Sequence, residues 1–257
     1  MTALLADKTA VITGASSGNG RAIARTFANH GADVVVADIR DSPREGGDPT
    51  HELVESETDA SAAFVECDVT NKSDLASAME TAEEFGGVDV MVNNAGIFGA
   101  EEFFEVTESE FDRMMDINVK GVFFGTQVAG ERMVDQGSGS IINLSSVAGL
   151  SGTGPYTTYC TSKGAVRLLT YSTADLLGPE GIRVNAIHPG LIDTKMTTED
   201  VPILGTEEGD RFMEMIPSRR AGNPAEVADA ALYLASDMSS YVNGESLVID
   251  GGMSHTG

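Results

Sequence analysis

Short apolar runs alternate with stretches of helical period from one end of the chain to the other. The runs Thr9–Thr13, Asp33–Asp38, Ala63–Cys67, Val88–Asn93, Ser140–Ser145, Arg183–His188 and Ser246–Ile249 predict strands. Between them the spacing predicts helices, among them Gly20–Asn29, Lys72–Phe85, Glu108–Val119, Tyr159–Leu177 and Pro224–Ser236. Unbroken β-branched runs such as Val34-Val35-Val36 suit strands buried on both faces. Strand and helix alternating in this way predict an α/β fold, a doubly wound seven-stranded parallel sheet flanked by helices. No repeat and no linker divides the chain, so one domain over residues 1–257 is expected.

Two segments break the rhythm. Asp41–Thr50 carries Pro43, Gly46, Gly47 and Pro49 and reads as an extended loop after the second strand. Asp193–Pro217 is acidic, Met-rich and interrupted by Pro202 and Gly205. It follows a late strand, on the side where open α/β sheets bind ligands, so a mobile substrate lid over 193–217 is expected, with a surface excursion as the alternative.

Composition narrows the partners. Forty Asp plus Glu against 16 Lys plus Arg leave a formal charge of −24. Such a surface repels nucleic acid and anionic lipid, so neither is expected as a partner. Five lysines stand beside eleven arginines, a balance consistent with adaptation to concentrated salt. There a Debye length of roughly 3 Å at 1 M screens the self-repulsion; incidental acidity is the alternative. No run approaches the roughly 18 apolar residues of a membrane span, and Met1–Lys8 is too short and weakly apolar for a signal peptide. Cys67 and Cys160 form no disulfide or metal pattern, so a reducing cytoplasm and no metal are expected.

The first strand runs into Thr13-Gly14-Ala15-Ser16-Ser17-Gly18-Asn19-Gly20, which opens a helix. Gly14 permits a sharp turn, and Gly18 and Gly20 permit close backbone approach to a pyrophosphate at the helix N-terminus. By itself such a turn could be a plain strand-to-helix corner. The next strand, however, ends in Asp38, about 20 residues on, as dinucleotide binding requires. Its carboxylate suits ribose hydroxyls and repels a 2′-phosphate, which favours NAD over NADP; Arg40, two residues on, could offset that repulsion. Ser16, Ser17, Asn19 and Ile39 complete this first cofactor set.

Tyr159 and Lys163 are four apart in a predicted helix and share a face. A phenol titrates near 10, and lowering it by roughly 2–3 units needs about 3–4 kcal/mol. One ammonium a few ångströms away in a partly desolvated cleft supplies that order. Cys160 has no activating His or Asn arrangement, and His188 belongs to no ligand cluster, so both read as packing residues.

These features together resemble the short-chain dehydrogenase/reductase family, over essentially the whole chain. The resemblance rests on Thr13-Gly14-x-x-x-Gly18-x-Gly20, Cys67-Asp68-Val69, Asn93-Asn94-Ala95-Gly96, Asn118, Ser145-Ser146-Val147-Ala148-Gly149, Tyr159-x-x-x-Lys163, His188-Pro189-Gly190 and Asp250-Gly251-Gly252, in that order. Asn19 departs from it, where the family has Ile or Leu. The resemblance implies a Rossmann-type fold. It also implies an NAD(H)-dependent exchange between a secondary alcohol and a ketone, with Tyr159 as acid/base. Lys163 would orient the nicotinamide ribose, Ser146 would stabilise the substrate oxygen, and Asn118 would support Lys163 through a water.

By the same resemblance Asp68 and Val69 border the adenine, and Asn94, Ala95 and Gly96 run along the adenosine side. Pro189 and Gly190 lie by the nicotinamide, and Ile192 and Thr194 contact its carboxamide and the phosphates. A homotetramer is implied, built on the helix after Tyr159 and the C-terminal helix and strand. The substrate reads as a sugar, polyol or 3-oxoacyl compound. Gly152, Thr153, Gly154, Thr157 and Thr158 would border its cleft, while Phe98, Met196, Phe212 and Met215 offer an apolar lining or ordinary packing. A catalytically silent dinucleotide-binding sensor is the alternative from another class.

Overall fold

Val34 and Val36 of the strand Asp33–Asp38 (β2) bury into one apolar cluster, while Val35 between them buries into another. That division repeats at Val90 and Val92 against Met91 in Val90–Asn93 (β4), and at Ile142 and Leu144 against Ile141 in Gly139–Leu144 (β5). Side chains alternate across a strand, so two apolar clusters require helices on both faces. The computed structural model, which describes residues 3–254, has that arrangement. The remaining strands are Thr9–Thr13 (β1), Ala62–Glu66 (β3), Ile182–Pro189 (β6) and Ser246–Ile249 (β7). All pair in parallel in the order β3-β2-β1-β4-β5-β6-β7. Of the Met1–Lys8 segment, Met1 and Thr2 lie outside the described residues.

The helices Gly18–Asn29 (α1) and Pro224–Ala235 (α8) close one face through Ile23, Phe27, Val227 and Ala231. Lys72–Glu83 (α3), Gly121–Gln136 (α5) and Thr157–Leu177 (α6) close the other through Leu75, Met79, Met133 and Ala174. The expected helix over Glu108–Val119 divides. An α-helix, Glu108–Met115 (α4), capped by Thr107 and Glu110, passes into a π turn at Asp116–Lys120. Such a widened turn re-aims side chains, and this one carries Asn118.

Of the two segments that break the rhythm, Asp41–Thr50 runs as a loop until Thr50–Glu57 (α2) begins at its last residue, whereas the 193–217 segment holds a π turn, Met196–Asp200, and the helix Glu207–Met215 (α7). The Thr206 side chain caps α7 by accepting from Gly209 N–H, although Pro202 and Gly205 just before it suggested irregular chain. Strand order reverses between β1 and β4, so the crevice for a ligand opens beyond their carboxyl ends.

Candidate active site

β1 ends at Thr13 and the chain turns at Gly14, whose φ of +65° L side chains rarely adopt. A Cβ there would stand 2.9 Å from Ala95 Cα, and a Cβ on Gly20 would fall onto the Gly14 carbonyl oxygen. Asn94 locks the turn: its Nδ2 donates to Thr13 O at 2.9 Å and Gly14 O at 3.1 Å. Thr13 Oγ1 in turn accepts from the N–H groups of Asn94 and Ala95 at 3.0 and 3.1 Å.

A cavity of about 380 Å³ opens over this turn. It is bordered by Gly14, Ser17, Gly18, Asn19, Asp38, Ile39, Asp68, Val69, Asn94, Ala95, Gly96 and Thr194, all of them among the expected cofactor residues. Asp38 Oδ2 accepts from Ser16 N–H at 3.0 Å and Oδ1 from Arg40 N–H at 3.3 Å. Burial raises its pKa, and those N–H groups with the Arg40 charge oppose the rise.

Other expected contacts lie outside this lining. Ser16 is buried and its Oγ donates to Arg40 O at 2.7 Å. Gly20 packs beneath Gly14, and the Ile192 side chain joins the core cluster of α1 and α8. Pro189 ends β6, while Gly190 N–H donates to Ile249 O at 2.9 Å.

A dinucleotide fits these residues. The glycine turn leaves backbone exposed where a side chain would intrude, and Asp38 ends the adjacent strand. Asn19 Oδ1 is buried without a hydrogen-bond partner among the described residues, an acceptor open to a donor on a bound molecule.

Past the β5 terminus the two serines part. Ser145 Oγ donates to Lys163 O at 2.8 Å and is taken up by the fold, whereas the Ser146 side chain lies beside the Tyr159 phenol and acts to lower its pKa. Ser146 Oγ also accepts from Ala148 N–H at 3.1 Å. Behind Ser146, His188 Nδ1 lies 2.8 Å from its carbonyl oxygen and Nε2 lies 3.0 Å from Ser246 Oγ. His188 is fully buried, which lowers its pKa. Its neutral ring therefore braces the serine from the inside of the sheet.

Lys163, one helical turn after Tyr159, is 4% exposed, and its Nζ donates to Leu144 O at 2.9 Å. Burial pulls its pKa down to about 8 and pushes the Tyr159 phenol up to about 12, with the neighbouring Ser146 side chain opposing the rise. Burial thus works against the lowering expected from spacing: desolvation outweighs an ammonium held 5.7 Å from the ring centroid.

Asn118 is also spoken for. Its Oδ1 accepts from Ile97 N–H at 2.8 Å, and its Nδ2 reaches Ile97 O at 2.9 Å and Ser162 Oγ at 3.1 Å. It thus ties the chain after β4 to α6. Gly96 fills the gap, since a Cβ there would stand 3.1 Å from Asn118 Oδ1 and 3.5 Å from Lys163 Nζ.

Phe98, expected as apolar lining or packing, packs against both Tyr156 and Tyr159, at centroid distances of 4.8 and 4.7 Å. Sequence reasoning missed other neighbours. The Glu101 carboxylate accepts from Thr158 N–H at the start of α6. Arg44 and Glu45, inside the supposed loop, border the cavity. A Pro- and Gly-rich composition concealed them; their charges were the available signal.

Residues 14–254 match the family model described as enoyl-(acyl carrier protein) reductase. The chain belongs to the short-chain dehydrogenase/reductase family. It is 42% identical to a 3-alpha-(or 20-beta)-hydroxysteroid dehydrogenase of Mycobacterium tuberculosis, over 98% of this chain and 91% of that protein. A short-chain dehydrogenase/reductase from Mycobacterium marinum superposes with a TM-score of 0.90 at 36% identity, covering 98% of each chain. A protein from Beutenbergia cavernae assigned as an NAD(P)-dependent gluconate 5-dehydrogenase, with bound NADP, gives 0.90 at 32% identity, over 98% of this chain and 99% of that one. As a member of this family, the chain is an NAD(P)-dependent oxidoreductase that interconverts a secondary alcohol and a ketone.

Proposed function

We propose that Tyr159 exchanges the proton of this reaction, that Ser146 and Lys163 act with it, and that NAD(H) is the preferred nucleotide. The observation that carries the reading is a buried Lys163 with its ammonium 5.7 Å from the Tyr159 ring centroid and Ser146 beside that phenol, next to a glycine turn bordered by Asp38. When bound, the nicotinamide supplies or accepts the hydride. Tyr159 holds its proton on the phenolic oxygen, donating it in reduction and regaining it in oxidation. Ser146 Oγ donates to the substrate oxygen, where negative charge grows in reduction. Lys163 offers an ammonium to ribose hydroxyls, and Asn118 keeps the Ile97 backbone and α6 in register around it.

The preference for NAD rests on Asp38, whose charge opposes a 2′-phosphate. Segment 193–217 serves as the substrate lid, a reading supported by Thr194, Met196 and Asp200 at the cavity wall. Exposed Leu168 and Leu176 on α6, with Met238 and Tyr241 after α8, support a homotetramer built on those elements. No described helix is long and apolar enough to cross a membrane; a cytoplasmic, salt-adapted enzyme is the reading we adopt. The substrate class is a hydroxylated or 3-oxoacyl compound.

A panel of sugars, polyols, 3-oxoacyl esters and hydroxysteroids, run in molar KCl with NAD and with NADP, tests it. Turnover that favours NAD agrees with the proposal; a higher kcat/KM with NADP contradicts the role of Asp38.

A further inference from the structure

The first free N–H of α1 belongs to Gly18, and it is taken. Gly18 N–H donates to Glu45 Oε1 at 2.7 Å, across 27 residues of sequence. A helix N-terminus after a glycine turn is where a dinucleotide's diphosphate would sit, drawn by free N–H groups and the helix dipole. Here a carboxylate of the protein makes the same kind of charge-assisted bond. Glu45 borders both the cavity over the glycine turn and a second one, of about 450 Å³, behind Gly18. The second is lined by Arg21, Arg25 and Lys195, so Glu45 stands at the junction in a locally basic setting within an acidic protein.

Two further contacts make this a strap. Arg44 N–H donates to Ser17 Oγ at 2.8 Å, so consecutive residues of the 41–50 loop dock on consecutive residues of the turn. The Arg44 guanidinium then grips Asp200 with two bonds of 2.7 Å and reaches Glu199 at 3.4 Å. Both carboxylates close the π turn Met196–Asp200 in the segment proposed as a lid. Gly46 and Gly47 follow at φ +79° and +87°, with nothing near their Cβ positions, a joint on which the strap can swing.

We infer that Glu45 is an internal ligand of the diphosphate seat. It must leave for a dinucleotide to bind, and Arg44 couples its departure to residues 196–200. Two anionic groups cannot share one set of N–H donors, so the contact sets cofactor affinity by competition. Displacing the strap also moves the partner of Asp200, so cofactor entry and rearrangement of the lid segment become one event. The inference rests on the dinucleotide reading above.

The test is calorimetric titration of the full chain with NAD+ and with adenosine, which lacks the diphosphate. It is paired with hydrogen exchange of the ligand-free protein. Glu45→Gln keeps the shape and removes the charge. NAD+ should bind about tenfold more tightly to it, the equivalent of one charge-assisted bond, while adenosine affinity stays unchanged. Exchange over residues 15–19 should quicken without ligand. Arg44→Gln should tighten NAD+ binding in the same direction and quicken exchange over 196–200. The NAD+ arm decides: unchanged or weaker binding to Glu45→Gln overturns the inference while leaving the cofactor reading intact. Wild-type protein that binds neither NAD+ nor NADP+ overturns both.

Discussion

Lys163 sends its ammonium to the carbonyl oxygen of Leu144 at 2.9 Å while standing 5.7 Å from the centroid of the Tyr159 ring. The two side chains are one helical turn apart, yet each is governed by burial more than by the other. The pair therefore meets neutral solution as a protonated phenol beside a weakened ammonium. That starting state suits proton donation to a ketone; oxidation needs the proton removed and should accelerate toward alkaline pH.

The lowered Lys163 pKa has a signature in stability. A base whose folded pKa is about 8 against 10.5 unfolded binds fewer protons folded than unfolded between those values. Stability conferred at this site therefore rises with pH across that window, by about 3 kcal/mol at most. Urea unfolding of wild type and Lys163→Met across pH 7–10.5 (~3.5 units, in molar KCl) reads it out. Wild type should gain on the variant as pH climbs, and a constant difference contradicts the burial penalty.

Nucleotide choice should respond to Asp38. Asp38→Ala removes the carboxylate proposed to face the ribose and should shift the NADP-to-NAD ratio of kcat/KM by roughly tenfold toward NADP. An unaltered ratio would move that role elsewhere, with Arg40 the next residue to examine.

The glycine turn offers a steric test with an internal control. A Cβ on Gly20 meets the backbone oxygen of Gly14, which cannot step aside, so Gly20→Ala should weaken dinucleotide binding by at least about a hundredfold, the loss of roughly two well-placed hydrogen bonds. Gly152→Ala meets nothing within 4 Å and should bind the nucleotide as wild type does. Equal affinities for the two variants would show that the turn is not the seat.

The acidic surface makes its own forecast. At a formal charge of −24, screening should raise the melting temperature steadily from low salt to molar KCl. A flat melting profile counts for incidental acidity.

All seven strands were legible to within two residues because β-branched runs buried on both faces leave little room for another reading. The helix α5 was not singled out, and its glycines explain why. Gly121, Gly125 and Gly130 pack tightly on Val69, Asn93 and Leu177, so it buries small residues and shows little apolar stripe. Motif order in the sequence also located Tyr159, Lys163 and Ser146, whose proximity follows from one helix and one strand end. What stayed hidden depends on distant partners: Lys163 turning to Leu144, His188 bracing Ser146, and Glu45 reaching Gly18. A hydrogen bond spanning tens of residues leaves no local pattern to read.

Turnover by Tyr159→Phe, set beside its affinity for NAD+, tests the central claim most directly. Loss of the hydroxyl removes the exchangeable proton but little nucleotide contact. The rate should fall by at least about a thousandfold, within the range expected for general acid–base catalysis, with NAD+ binding close to wild type. A variant that keeps a substantial part of its rate would contradict Tyr159 as the acid/base.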